Sequence, residues 1–375
     1  MQPSSFVFFS AKYLKVFIFF WMPSISGSYI HATSEPNVAA GTNKPSIADK
    51  QLIWAIQENN LKKVTALLRD VKNINNQDFL GYTPLHYAAK YAKTAIVAHL
   101  VEAKAFLDQV SIRNGHTPLL LAIQRGHKRI ASLLLVAGAN PNIVNHKGYN
   151  ALQLAIQQNR KDLVQLLLQA GATCSASLSP LRMAIERGSL PIVQLLLQQK
   201  QIIETKDKKG YTELYWAAKQ NAVGIFSALV KSERFNINAK ANNGATPLHF
   251  IATNKKSKFL KILLNHPLLE VNAQDSTGST PLHYAAATNQ LKTVNGLLRC
   301  ASIDVNIQNN IGQTALHYAV QYQHMAILKK LLARAGKGIC IQNKKEITPL
   351  ELAMHQNNVK MYNLMLAHIS LLGVD

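Results

Sequence analysis

Apolar and polar positions from about residue 48 onward follow a helical rhythm that is repeatedly interrupted. Leu, Ile, Val and Ala recur three and four residues apart for two to three turns, then stop at a residue that tolerates a left-handed backbone. That residue is Gly126 or Gly188, or an Asn in the same place at Asn159, Asn221, Asn289 and Asn357. A second apolar run follows each stop and ends in clustered leucines, such as Leu133 to Leu135, Leu166 to Leu168, Leu195 to Leu197, and the pairs at 263–264, 297–298 and 331–332. Turn signals come next (Gly138-Ala139-Asn140, Gly171-Ala172-Thr173), and then an extended stretch such as Asn306-Ile307-Gln308-Asn309 that leads into another Gly. The pattern predicts pairs of short helices joined by extended turns.

The first helices share one opening phrase. Residues 81–89 read Gly-Tyr-Thr-Pro-Leu-His-Tyr-Ala-Ala, and close copies start at Gly244, Gly278 and Gly312, with weaker ones at Gly115, Gly148 and Gly210. Thr is a helix N-cap, and Pro suits the first helical position, where its missing N–H would have had no partner. Measured at the Thr slot (Thr83, Thr117, Asn150, Ser179, Thr212, Thr246, Thr280, Thr314, Thr348), the intervals are 34, 33, 29, 33, 34, 34, 34 and 34 residues. An earlier copy over residues 51–80 lacks the Thr-Pro turn but keeps Leu52, Ala55, Ile56, Val64, Leu67 and Leu68 at helical spacing.

Helices this short, below the roughly 12–15 residues at which an isolated helix is even marginal in water, need neighbours. Stacking supplies them, burying each apolar face on the next unit along one continuous core. The period and the Thr-Pro-Leu-His phrase resemble the ankyrin-repeat family. The resemblance implies an all-α repeat solenoid of helix-turn-helix units with β-hairpin or finger loops, about ten units over residues 48–375 with a cap at each end. The interval of 29 leaves the finger between Gly171 and Leu178 about five residues short, so a kink or seam is expected there.

Residues 1–47 carry no repeat. Lys12 and Lys15 precede an apolar run over 16–22, and the small residues Ser26-Gly27-Ser28 follow, so residues 1–22 read either as a secretory signal or as a stretch ahead of a true start at Met22. The run is too short to cross a bilayer, so no membrane span is expected. Residues 23–47, rich in Ser, Asn, Gly and Pro, read as a flexible linker.

Charge narrows the partner. The 375 residues carry 41 Lys+Arg against 19 Asp+Glu, a formal +22, while 48% are hydrophobic, which excludes a disordered polyelectrolyte. Gln109 to Lys161 holds seven bases and no acid, and Lys240 to Leu269 holds five more, unopposed. Placed on the repeat, Arg113, Lys147, Lys208, Lys209, Lys344 and Lys345 fall on finger tips. Arg125, Lys128, Arg129, Arg160, Lys255 and Lys256 fall at the helix-helix turns. Long-range attraction to an acidic protein partner or an anionic surface follows, and the same excess is also what a chain from an organism of basic proteins carries. Nucleic acid is the weaker alternative, because a binding groove concentrates its bases on one face.

No nucleophile elbow, phosphate-cradling loop or metalloprotease helix is present, and the repeats leave no stretch for a catalytic domain, so the reading is a non-enzyme with no cofactor and no metal. Cys174, Cys300 and Cys340 match neither a disulfide framework nor a zinc spacing. Neighbouring histidines among His249, His283 and His317 would stand about 8–10 Å apart in a stack, too far to share an ion. The family resemblance instead gives this His a bracing role between fingers.

The same resemblance places the partner on finger tips and exposed first-helix residues: Phe79, Leu80, Tyr82, Tyr91, Arg113, His116, Arg125, His146, Lys147, Tyr149, Lys208, Lys209, Tyr211, Lys219 and Gln313. Tyr82, Tyr149 and Tyr211 share one slot after the repeat Gly, and Trp216 reads as core. Long ankyrin arrays on basic, Asn- and Gln-rich chains also resemble secreted bacterial effectors that act on host proteins. The expected location is therefore the host cell, or the periplasm if the signal works, and otherwise the cytoplasm, with the chain acting as a monomeric scaffold.

Overall fold

The computed structural model describes residues 46–71, 73–173 and 179–372, and among them the helices fall into ten pairs. In chain order these are α1 (Ile47–Gln57) with α2 (Leu61–Asp70), α3 (Pro84–Lys90) with α4 (Thr94–Glu102), α5 (Pro118–Arg125) with α6 (Lys128–Val136), and α7 (Ala151–Gln157) with α8 (Lys161–Gln169). Then come α9 (Pro180–Glu186) with α10 (Leu190–Leu197), α11 (Glu213–Lys219) with α12 (Val223–Lys231), and α13 (Pro247–Thr253) with α14 (Ser257–Leu264). The last are α15 (Pro281–Ala287) with α16 (Leu291–Leu297), α17 (Ala315–Gln321) with α18 (Met325–Ala335), and α19 (Pro349–His355) with α20 (Val359–Leu372). Every odd-numbered helix packs on the next odd one and every even on the next even, so the pairs stand in sequence order in two rows.

One hydrophobic cluster runs the length of this stack, from Leu52 to Met365. Its first-helix row is small, with fully buried Ala88, Ala89, Ala155, Ala217, Ala252, Ala285, Ala286 and Ala319 letting adjacent helices approach closely. Larger side chains fill the second row, where Phe226 and Phe259 meet edge to face at 5.1 Å between ring centres. The first pair, which lacks the Thr-Pro turn, is capped by Ser46 and Asp49 in a reciprocal capping box. Stops fall where expected: Gly126, Gly188, Asn159, Asn221, Asn289 and Asn357 all have positive φ, as do Ala92, Lys255 and Gln323 in the equivalent place.

Each finger closes as a tight hairpin turn without forming a strand among the described residues. In the finger before α15, Asp275 N–H donates to Ser279 O at 3.0 Å and Gly278 N–H returns to Asp275 O at 2.9 Å. Successive fingers are joined by one main-chain rung each: Arg113 N to Leu80 O, His146 N to Asn114 O, Asn242 N to Lys209 O, Ser276 N to Asn243 O, Asn310 N to Thr277 O and Lys344 N to Ile311 O. Glycine is obligatory where the rung passes. At Gly244, φ is +74° and a Cβ would stand 2.6 Å from Ser276 N.

The histidines hold the units to one another. The Thr83 main-chain N–H donates to His86 Nδ1 at 3.1 Å, so the ring proton sits on Nε2, which donates to His116 O in the next finger at 3.0 Å. His249, His283 and His317 repeat the arrangement, donating to Ser279, Gln313 and Ile347 O at 3.0, 2.9 and 3.0 Å. Burial depresses all four, His86 to about 4, so they remain neutral.

Other residues fill this slot in the remaining units. Asn150 and Gln153 cap each other reciprocally. At α9 the slot holds Arg182, whose Nη2 donates to Tyr211 O at 3.2 Å, the carbonyl a His would take. Its charge is met by Glu213, which replaces the Pro of the next unit, is fully buried, and lies 3.7 Å away. The short finger that should mark the seam lies largely outside the described residues, as does Cys174. On either side of it, α7 still packs on α9 and α8 on α10. Cys300 and Cys340 are both free thiols.

Candidate interaction face

Finger tips and first helices together line one face, and an aromatic position organises it. Four residues after the Thr slot stand Tyr87, Trp216, Phe250, Tyr284 and Tyr318, each partly buried against the core. An Asx residue five before the Thr slot takes the polar atom of each ring that has one. Tyr87 donates to Asp78, Trp216 Nε1 to Asp207 at 3.1 Å, and Tyr284 to Asp275 at 2.6 Å, while Asn309 Nδ2 donates to the Tyr318 hydroxyl at 3.1 Å. In the unit of Phe250, which has no polar atom, the equivalent residue is Ala241. Polar edges are thus tied into the fingers, and the ring carbons lie partly against the core. Burial and the bond to Asp275 push the Tyr284 phenol up to about 12.

Trp216, Phe250, Tyr284 and Tyr318 occupy this slot in consecutive units, and Trp216, read from the sequence as core, packs against the core while staying half-buried. Comparing position four after Thr with position five before it would have revealed the pairing. Around Trp216 the structure brings together several expected residues. Lys219 Nζ lies 4.1 Å from the indole centre and Arg182 stands 5.1 Å from it. Tyr211 stacks on Tyr215 at 3.7 Å, and Lys208 and Lys209 are exposed at the finger tip above.

A second group surrounds α3. Phe79 is 86% exposed and Tyr91 40%, whereas Tyr82 is 6% exposed, stacked on His86 with Lys90 over its ring. Leu80 is half-buried and gives its carbonyl to Arg113. Arg113, His146 and Lys147 are exposed on adjacent fingers, while His116 is 5% exposed and its Nε2 accepts from Asn145 Nδ2 at 3.2 Å. Tyr149 and Gln313 are half-buried, and Arg125 ends α5 at the turn into α6, away from the finger tips. Tyr82 and His116 therefore offer little surface to a partner, and the shared Tyr slot differs in exposure from unit to unit.

Electrostatics follow from how the few acids are used. Asp78, Asp207 and Asp275 each accept main-chain N–H groups of their own finger as well as the ring atom. Asp49 and Glu351 cap helices, and Asp108 accepts from Asn140 N–H. Among the described residues the ion pairs are Arg160 with Asp162 and Arg182 with Asp207 and Glu213. The remaining described lysines and arginines have no acidic side chain within ion-pair distance, so their charge is unpaired.

Helix pairs stacked in file, braced finger to finger, define a repeat solenoid of the kind that serves as a protein-interaction scaffold. The family model for ankyrin repeats (three copies) matches residues 39–111, 103–177, 173–241, 225–309 and 297–373, and the chain belongs to the ankyrin-repeat family. It is similar to ankyrin repeat and SOCS box protein 3 of Bos taurus, with 36% identity over 171 residues, 44% of this chain and 33% of that protein. Ankyrin repeat and SOCS box protein 2 of Bos taurus matches with 36% identity over 95 residues, 25% of this chain and 15% of that protein. The chain thus spans a third or less of these curated relatives. A solved structure, the ankyrin repeat domain of Bcl-3, matches with 28% identity and a TM-score of 0.49 over 53% of this chain and 92% of that one. No helix among the described residues is long and apolar enough to cross a membrane.

Proposed function

We propose that the array is a non-catalytic scaffold that docks an acidic protein along its finger tips and first helices, through the exposed residues Phe79, Arg113, Lys147, Lys208, Lys209 and Lys219. The single observation that carries this reading is the lopsided use of charge. Asp49, Asp78, Asp207, Asp275 and Glu351 are held in turns and caps, only Arg160 and Arg182 are ion-paired among the described residues, and the net +22 is left to attract an opposite surface. Aromatic and basic side chains at the Trp216 cluster are of the kind that anchor interfaces. In this proposal the chain acts as a monomer, residues 1–22 direct export, residues 23–47 link that segment to the array, and the partner is a host protein met by a secreted bacterial effector.

Affinity capture at physiological salt tests the docking, comparing the native chain with the combined variant Lys147→Glu, Lys208→Glu, Lys209→Glu. Acidic proteins retained by the native chain and lost by the variant support the proposal. Equal capture by both removes the finger tips as the site. Sequencing the amino terminus of the exported chain tests the leader: a start near Ser28 supports export, and a start at Met1 or Met22 refutes it.

A further inference from the structure

Between the fingers that precede α15 and α17 lies an open cavity of about 630 Å³, lined among others by Thr277, Tyr284, Ala287, Ile311, Tyr318 and Tyr322. It takes in the last two of those aromatic positions. Tyr284 and Tyr318 present carbon faces because their hydroxyls are engaged by Asp275 and Asn309. Tyr322, 48% exposed, stacks on Tyr318 at 6.2 Å and on His324 at 6.1 Å, which fixes one wall. Ile311, 56% exposed, forms the opposite lip.

Its surroundings carry both signs, with the acids held in turns. The Asp275 carboxylate is filled by Thr277, Ser279 and Tyr284 donors. The Ile311 carbonyl accepts from Lys344 N–H, which sets the Lys344-Lys345 tip beside the lip, with Glu346 in the same turn.

We propose that this cavity is the anchor pocket for a Phe, Trp or Leu side chain carried on an acidic segment of a partner protein, a claim that rests on the acidic-partner reading above. The volume falls in the usual range for side-chain and small-ligand pockets. Rigid, half-exposed aromatics gain from an apolar insert, and at Tyr284 and Tyr318 no hydroxyl loses a partner when water leaves, because Asp275 and Asn309 hold them. Acidic residues flanking the insert would meet Lys344 and Lys345.

Fluorescence anisotropy on the full chain tests this with a short fluorescein-labelled peptide of alternating Glu and Ser around one central Phe. Replacing that Phe by Ala, or changing Tyr322→Ala in the protein, is expected to weaken binding at least about tenfold, as for an interface hot spot. Val136→Ala, exposed on α6 outside the face, serves as the unaffected control, and Ile311→Ser as a second pocket variant that spares the aromatic stack. The tenfold difference should persist in high salt even as overall affinity falls. Equal binding of the Phe-containing and Phe-free peptides overturns the pocket while leaving the acidic-partner reading standing. No binding of either peptide at low salt counts against both. A single-stranded oligonucleotide that binds more tightly than the peptide, with the same dependence on Tyr322, overturns the proposal in favour of nucleic acid.

Discussion

Adding a proton to His86 should loosen the array, and its neighbours show by how much. In the folded chain Nδ1 must accept the Thr83 N–H while Nε2 donates to His116 O. Protonating Nδ1 would set two donors against each other inside a fully buried site. Burial holds this ring at about 4 against an ordinary 6.5. A base whose folded pKa is depressed stabilises fully above the unfolded value and loses that contribution as pH falls from 6.5 toward 4. At pH 5 the loss from His86 alone is about 2 kcal/mol, and His249, His283 and His317 shift the same way.

The assay is urea unfolding from pH 7.5 to pH 5, with the ring protons followed by NMR. The comparison is His86→Gln, because Gln153 fills this slot natively and caps Asn150 without a titrating group. At pH 7.5 the variant should be about 1 kcal/mol less stable, having lost the bond to the next finger. At pH 5 it should equal or exceed the native chain. Curves that stay parallel through this range, or a His86 ring that titrates near 6.5, would refute the reasoning.

Three further outcomes are expected. Removing one member of the buried pair, by Glu213→Gln or Arg182→Met, should cost about 3–5 kcal/mol in chemical denaturation, whereas Arg182→His with Glu213→Pro, which restores the common phrase, should recover most of it. Equal destabilisation by the double variant would mean that the two residues act separately. Gln323→Gly should raise the free energy of unfolding by about 1 kcal/mol, because φ is +56° there and the side chain is exposed; no gain would show that the turn carries no strain. Gly244→Ala should be destabilising by more than about 1 kcal/mol and should expose the Ser276 amide to hydrogen exchange, and full protection of that amide would contradict the rung geometry.

What the chain determined by itself was everything that repeats locally. Thr-Pro openings, Gly and Asn stops and leucine clusters specify short amphipathic helices whatever surrounds them, and a period near 34 leaves stacking as the way to bury them. The bracing of one finger by the His of the unit before was legible only through the family resemblance. The first unit was expected as a cap, but the capping box of Ser46 and Asp49 that opens its helix was not, because it carries no Thr-Pro.

Tertiary structure decided what depends on partners far apart in the sequence. Whether a finger Tyr faces solvent or lies under a lysine, as Tyr82 does beneath Lys90, is settled by the side chains around it. That Trp216 is tied to its finger follows from Asp207, nine residues upstream, and that Glu213 can replace a proline follows from Arg182 in the preceding unit. Local chemistry sets each hairpin because its caps and turns close within a few residues. The proposed face is assembled across units, so its shape and charge exist only once the hairpins are stacked.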